Sequence, residues 1–399
     1  MLTDKKNNHY IAMVVYSHYS RDARVRRYAE ALANLNFSVD IICLNENYLP
    51  LNSHIRLIKY PLERLRSSAY WWYIFEYLAF FSFCLIVLSY LSLKNKYQLI
   101  HIHNMPDFLV FSTLLARFFG AKVILDIHDP MPELFISKFR VSENQVMVKL
   151  LKYIEYLSFK YADFLLTANP EFKKIFIKRH RQALIDKMQV ILNCPDKKII
   201  HPQNHANTNN NRHFNLLYMG TIDERFELHI PIQSLPYLIT VIPHIRLIII
   251  PKISYEGKYF RQLQKMIAFL NLRKYVKIYP PQTLEKLTDF INLADVGIVL
   301  AENSLFSQSI MPVKLLEFIQ MGIPVIATKT SSLEKFFTPR DLYYLKLNNI
   351  ETFAAAVIKL YNDENLRRDF RVNAQKYLIN HNWQIEEKKY LRRVFSLVS

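Results

Sequence analysis

Lys314 and Glu317 stand three residues apart in the stretch MPVKLLEFIQMGIPVIA, Met311–Ala327. That spacing places a cation and a carboxylate on one face of a helix. Pro312 suits the first helical position, because its φ is already helical and its missing N–H would find no partner there. Gly322 closes the helix, and Pro324–Ala327 reads as a short buried strand. A helix N-terminus beside a lysine can hold a diphosphate. A carboxylate one turn deeper can accept both hydroxyls of a vicinal diol such as a ribose, each charge-assisted bond contributing roughly 1.5–3 kcal/mol. The same pair also fits a solvated Lys–Glu contact on an amphipathic helix, a matter of a few tenths of a kcal/mol.

The elements that would position such a site alternate along the whole chain. Ile11–Ser17 reads as a strand, Arg21–Leu35 as a helix and Ser38–Leu44 as a strand, with a further strand at His54–Tyr60. Leu99–His103, helix Phe108–Phe119, Lys122–His128, helix Gln145–Tyr161, Asp163–Ala168 and Met188–Asn193 continue the series. Cys194–Arg212 is polar, asparagine-rich and linker-like. The alternation restarts at Phe214–Met219, then Ile245–Ile250, Val276–Tyr279, Val296–Leu300, Pro324–Thr328 and Tyr343–Leu347, and ends in helices Thr352–Asn380 and Trp383–Leu397. Short apolar strands between helices predict parallel sheets covered on both faces. The expected fold is α/β, with two doubly wound, Rossmann-like domains facing a cleft. The expected boundaries are a first domain over 1–195, a linker over 196–213, a second domain over 214–380 and a terminal helix over 381–399 that returns to the first domain. Ligands of such sheets bind beyond the carboxyl ends of the strands.

Composition narrows the setting. The chain has 399 residues, a hydrophobic fraction of 51% and a net charge of +18. That charge favours anionic partners: phosphorylated substrates, acidic lipid headgroups or nucleic acid. The basic residues are dispersed and no familiar nucleic-acid-binding motif is present, so nucleic acid is not expected. Cys43, Cys84 and Cys194 are widely spaced in or beside apolar runs and read as buried free thiols of a reducing compartment. The N-terminus MLTDKKNNHY leads straight into a strand, with no secretory signal expected. Tyr70–Leu93 is almost wholly apolar, flanked by Arg64, Arg66, Lys94 and Lys96 and interrupted by Glu76. It is near the length needed to span a bilayer. Spanning would split one continuous βα series, so the expectation is a helix on the sheet whose outer aromatic face lies in a membrane interface.

Several separated segments carry a resemblance. Ser20–Leu44 is similar to the opening βαβ unit of GT-B glycosyltransferases, and Ile100–Phe135 (IHIHNMPDFLVFSTLLARFFGAKVILDIHDPMPELF) resembles a family 4 subgroup that builds bacterial surface polysaccharides. Leu192–Asp196, Tyr218–Phe226 (YMGTIDERF) and PVKLLEFIQMGIPVIA resemble the interdomain loop, the first donor loop and the donor helix of that family. The resemblance implies transfer of a sugar from a nucleotide diphosphate sugar, with retention, to a polysaccharide or lipid-linked acceptor. It implies that Glu317 meets the ribose hydroxyls, that Lys314 and Arg225 lie near the diphosphate, and that His128 lies near the reacting sugar. Gly220, Thr221, Ser309, Pro312 and Leu315 complete the implied donor site. Arg21, His103, Asn104, Asp129 and Glu133 are the implied acceptor and sugar pocket. No metal or other cofactor is expected. A cytoplasmic protein, peripheral at the inner face of the plasma membrane, is the corresponding location.

Alternatives stand beside several of these residues. His128 could instead be tied to Asp126 or Asp129 for structural reasons. His103 and Asn104 divide evenly between a substrate pocket and loop capping, whereas Asp107 reads as an N-cap for the helix beginning at Phe108. Arg24 and Arg27 are expected on a solvated basic face or against anionic lipid. Three departures from the family pattern concern the donor site: Ser309 where many members have a second glutamate, Pro251-Lys252-Ile253 where a glycine-rich turn is usual, and Glu227 where a glycine is usual. A left-handed backbone at Glu227 would cost roughly 1 kcal/mol. These departures leave two further readings, a non-catalytic scaffold and a sugar-nucleotide epimerase on the same fold.

Overall fold

The strands are short, apolar and buried on both faces, and this drives them into parallel sheets covered by helices. The computed structural model describes residues 9–62, 70–201, 213–252, 257–304 and 306–398. Arg64, Arg66, Ile253 and the asparagine-rich part of the expected linker lie outside the described residues. The chain divides into two units: residues 1–193 with 384–399, and residues 194–383.

The first unit holds β1 (Tyr10–Val14), β2 (Ser38–Leu44), β3 (Ile55–Tyr60), β4 (Tyr97–His103), β5 (Lys122–Ile127), β6 (Phe164–Thr167) and β7 (Met188–Val190). They form one parallel sheet in the order β3-β2-β1-β4-β5-β6-β7. The order reverses between β1 and β4, and a doubly wound sheet offers its ligand crevice beyond the carboxyl ends there. His103 of β4 lies opposite Asp126 of β5 in the register.

The second unit holds β8 (Phe214–Gly220), β9 (Ile245–Pro251), β10 (Val276–Ile278), β11 (Val296–Val299), β12 (Val325–Thr328) and β13 (Tyr343–Leu345). Their order is β10-β9-β8-β11-β12-β13, again reversing after the first strand. Both units are thus doubly wound, Rossmann-like α/β folds. The second unit begins at Cys194 rather than at the end of a linker. Cys194 is buried, and Ile199 and Ile200 accept hydrogen bonds from Thr288 and Gln320 through their carbonyls. The three cysteines are free and buried.

Two expected helices differ. Asp107–Thr113 is a 3-10 segment leading into a short helix, Leu114–Phe118. Asp107 is not its cap; it is buried and accepts from Asn104 Nδ2 at 2.9 Å. The expected helix Thr352–Asn380 is three helices, Ile350–Asn362, Glu364–Gln375 and Tyr377–Asn380. Asp363 leaves helical φ/ψ and caps the second of them by accepting from Leu366 N at 2.8 Å.

The apolar helix Tyr70–Lys94 connects β3 to β4. Tyr77, Phe80, Cys84, Leu88 and Leu91 form its buried stripe. Phe80 meets Tyr16 at the end of β1 and Tyr60 of β3. By length and composition Trp71–Lys94 could cross a membrane, and about a third of its most apolar window is buried. Its two flanking strands belong to one sheet.

Candidate functional site

In the second unit the helix Val313–Gln320 begins one residue later than expected. Pro312 is its N-cap, with extended ψ and no side-chain capping bond, so Pro312 is not the first helical residue. The first N–H groups of a helix have no intrahelical acceptor and remain available to an anion. Leu315, Leu316, Phe318 and Ile319 bury the inner face. Gly322, at φ +70°, closes the helix: Ile323 N donates to Phe318 O at 2.9 Å and Gly322 N to Ile319 O at 3.0 Å. That pair of bonds is a Schellman motif. Gly297 of β11 lets the helix seat, since a Cβ there would fall 2.6 Å from the Phe318 ring.

Lys314 stands against the end of β8. Gly220 ends that strand at φ +131°, and a Cβ on it would lie 3.7 Å from Lys314 Nζ. The ammonium also stands 4.0 Å from the centroid of Tyr218 and 4.9 Å from that of Phe226. No described carboxylate forms an ion pair with it. Burial among these rings lowers its pKa to about 7, against a smaller opposing effect of Glu317. Glu317 itself is buried. Arg225 lies in the loop after β8, with Nε donating to Asp223 Oδ1 at 2.9 Å and Nη1 buried without a partner. Thr221 accepts from the Tyr218 hydroxyl through its carbonyl, which shapes the same loop.

Glu227 adopts the left-handed conformation at φ +49° without being glycine. Its carboxylate accepts from Asn348 Nδ2, which also reaches Ala301 O at 2.9 Å and Thr328 Oγ1 at 2.8 Å. These bonds at the carboxyl ends of β11–β13 offset the backbone strain. Ser309 lies in a 3-10 turn and does not cap the donor helix. Leu315 is wholly buried and its N–H is given to Pro312 O at 3.0 Å, so it offers a ligand neither side chain nor N–H. Lys252 after β9 donates its N–H to Gly220 O at 2.9 Å.

The first unit builds its cluster around Asp126, wholly buried at the end of β5. Arg24 Nε and Nη2 each reach its carboxylate at 2.7 Å, and Arg24 Nη1 reaches Ile191 O at 2.7 Å. His128 Nε2 lies 3.0 Å and His103 Nδ1 3.2 Å from Asp126 Oδ2. Burial opposes ionisation of Asp126, but the Arg24 guanidinium overcomes it and holds the carboxyl well below its usual range. Burial lowers His103, so it is neutral near pH 7. His128 remains partly exposed, with its backbone N–H donated to Asn104 Oδ1 at 2.8 Å.

Several expected site residues are corrected by this geometry. His103 is wholly buried. Asn104 is the loop-capping residue: its amide holds Asp107 Oδ1 at 2.9 Å and Asp129 O at 2.8 Å. Burial and the nearby Glu155 raise Asp107 to about 7. Glu133 is paired with Arg179, which also holds Glu155 at 2.8 Å. Arg24 and Arg27 are buried, not solvated or free to meet lipid; Arg27 donates to Asn193 Oδ1. Arg21 is partly exposed, with Nε buried and without a described partner. Asp129 follows His128 on the same loop. His101, His103 and Asp126 could bring three ligand atoms within 4.8 Å of one another. Asp126 is already taken bidentately by Arg24, and His101 Nδ1 faces Tyr390 Oη at 3.1 Å.

Arg24, Asp126, Tyr218, Phe226 and Asn348 were absent from the expected site. For Arg24 a signal existed: it shares the inward face of its helix with Tyr28, four residues on, and the guanidinium lies over that ring.

Two doubly wound units, one carrying a cation and a carboxylate on a helix beyond its strands, define a GT-B type of α/β protein. Residues 23–198 match the family model Glycosyltransferase Family 4, and residues 196–377 match Glycosyl transferases group 1. The two matches together cover residues 23–377, a Glycosyltransferase Family 4 half followed by a Glycosyl transferases group 1 half. An 80-residue stretch is 30% identical to TuaH of Bacillus subtilis (strain 168), named as a teichuronic acid biosynthesis glycosyltransferase, and spans 20% of this chain and 20% of that protein. Among solved structures, sucrose-phosphate synthase from Thermosynechococcus elongatus superposes with a TM-score of 0.75 at 18% identity, over 98% of this chain and 100% of that one. Anabaena Alr3699/HepE in complex with UDP-glucose superposes with a TM-score of 0.69 at 12% identity, over 97% and 99%. At such identities the shared property is the fold.

Proposed function

We propose that the protein transfers a sugar from a nucleotide diphosphate sugar to a glycan or lipid-linked acceptor, with retention and without a metal. The observation that carries this reading is Lys314 beside Gly220 at the end of β8, with Arg225 over the same Phe226 ring that Lys314 faces and buried Glu317 one turn along the same helix. Glu317 is assigned the ribose hydroxyls. Lys314, Arg225 and the free N–H groups of the donor helix are assigned the diphosphate. In the transition state negative charge grows on the leaving phosphate, and fixed cations aimed there lower the barrier. Cationic side chains thus take the part a metal plays in other transferases. His128 is assigned a contact with the transferred sugar. The leaving phosphate assists removal of the acceptor proton on the same face, so no protein nucleophile is named. That the HepE structure contains UDP-glucose supports a nucleotide sugar as donor.

The membrane part of the proposal rests on the helix Tyr70–Lys94. Opposite its buried stripe it exposes Trp71, Trp72, Phe75, Leu78, Ile86 and Leu93. A face of this kind suits the interfacial region of a bilayer, and the net charge of +18 favours an anionic one. The scaffold reading loses one of its motives, because Glu227 holds the left-handed turn without glycine.

The test is titration with a panel of nucleoside diphosphates and their sugars, beside Glu317→Ala. One nucleotide is expected to bind, and Glu317→Ala to weaken it about tenfold or more, as loss of a charge-assisted hydrogen bond implies. Release of nucleotide should require an acceptor. Turnover of donor alone would favour the epimerase, and a folded protein that binds no nucleotide would overturn the transferase.

A further inference from the structure

The Arg24–Asp126 pair lies beneath His128, and the reading above gives it no task. Asp126 Oδ2 is the common neighbour of three nitrogens: Arg24 Nε at 2.7 Å, His128 Nε2 at 3.0 Å and His103 Nδ1 at 3.2 Å. His103 Nδ1 and His128 Nε2 are also 3.2 Å apart. An ionised carboxylate only accepts. Both imidazoles therefore direct an N–H at Oδ2, and their mutual approach is a contact between two donors, not a hydrogen bond. Arg24 is bidentate and always charged, so it keeps Asp126 in the accepting form.

The consequence falls on His128. A neutral imidazole with its proton on Nε2 has a lone pair on Nδ1. Nδ1 has no described hydrogen-bond partner, and the side chain is partly exposed. The backbone is fixed as well: Asn104 Oδ1 takes the His128 N–H at 2.8 Å, and Asn104 Nδ2 holds Asp129 O at 2.8 Å. Ring and main chain are thus held from two directions.

We propose that Asp126, held by Arg24, is a positioning residue that fixes His128 as the Nε2–H tautomer and leaves Nδ1 as a hydrogen-bond acceptor for a hydroxyl of the transferred sugar. The last clause rests on the transferase reading; the tautomer does not. His103 adds a second N–H to the same oxygen and, being wholly buried, acts only through Asp126.

The experiment is nitrogen-15 NMR of histidine-labelled full-length protein without substrate, with the His128 signals assigned by their loss in His128→Gln. At a pH high enough for the ring to be neutral, the wild-type protein is expected to show His128 with the Nε2–H form exceeding the Nδ1–H form by at least about tenfold, as one strong acceptor on Nε2 implies. In Asp126→Ala no acceptor faces Nε2, so the preference for the Nε2–H form should be lost. A purely structural Asp126 would leave the tautomer where it was. An Nδ1–H tautomer in the wild type, or an unchanged tautomer in folded Asp126→Ala, would overturn the assignment. The wild-type spectrum decides even where Asp126→Ala does not fold. A protein that binds no nucleotide yet shows the Nε2–H tautomer would sink the transferase reading and leave the positioning role of Asp126 intact.

Discussion

Lys314 shows how one side chain acquires its chemistry from its neighbours. Its ordinary pKa would keep it charged at any physiological pH, but burial against Tyr218 and Phe226 lowers the value to about 7. In the free protein it is therefore charged below about pH 7 and neutral above. A bound diphosphate restores the charge, so binding above that pH takes up a proton. Affinity for a nucleotide sugar, whose diphosphate has no group titrating there, should fall by up to about tenfold per pH unit as pH rises. Calorimetry near pH 8 in two buffers of different ionisation enthalpy measures the uptake. Binding with no proton uptake would place Lys314 away from the diphosphate. Sequence already placed Lys314 and Glu317 on one helical face. It carried no trace of the aromatic walls, which come from β8 and the loop beyond it.

At the scale of elements, the chain manages with five glycines by giving left-handed positions to other residues. Asn36 and Asn271 close helices in that conformation, as Gly120 and Gly322 do, and Arg140 and Glu227 adopt it too. Asparagine tolerates the left-handed region better than most residues. Gly297 is retained for a different reason, close approach of β11 to the donor helix. Gly297→Ala puts a methyl group 2.6–2.8 Å from Phe318 ring carbons. Overpacking of this kind costs about 1–3 kcal/mol. Urea unfolding should show that loss, and nucleotide titration a weakened donor site as the helix shifts. Unchanged stability would mean that Phe318 has room to turn. The sheets were legible to within a residue or two in most strands, because a buried parallel strand is a continuous apolar run. The segment Phe108–Phe119 reads as one helix in the sequence, since a 3-10 stretch and an α-helix bury apolar residues at similar spacing.

For the whole molecule, the net charge of +18 and the apolar outer face of Tyr70–Lys94 point to the same expectation. The protein should sediment with anionic vesicles at low salt and much less at high salt, because screening shortens the reach of the surface charges. Absence of sedimentation under both conditions would remove the membrane from the proposal. Replacing Trp71, Trp72 and Phe75 with serine should weaken the low-salt binding while leaving nucleotide titration unchanged, since all three are exposed and lie in the first unit.

The sequence by itself determined the order of strands and helices, the two-unit division and the helix Val313–Gln320 with its lysine and glutamate. All three are written in local periodicity or in short motifs. Tertiary structure alone decided the partner of Arg24. The three helical arginines of RDARVRR, Arg24, Arg26 and Arg27, are all buried, and local spacing pairs Arg26 with Glu30 but names no partner for Arg24. That partner is a carboxylate 102 residues away, on a strand that reaches it only when the sheet closes. The same closure buries His103, commits Asn104 to the loop and leaves His128 as the exposed member of the cluster. Long-range pairing of buried charges depends on distance in space and leaves no period in the chain.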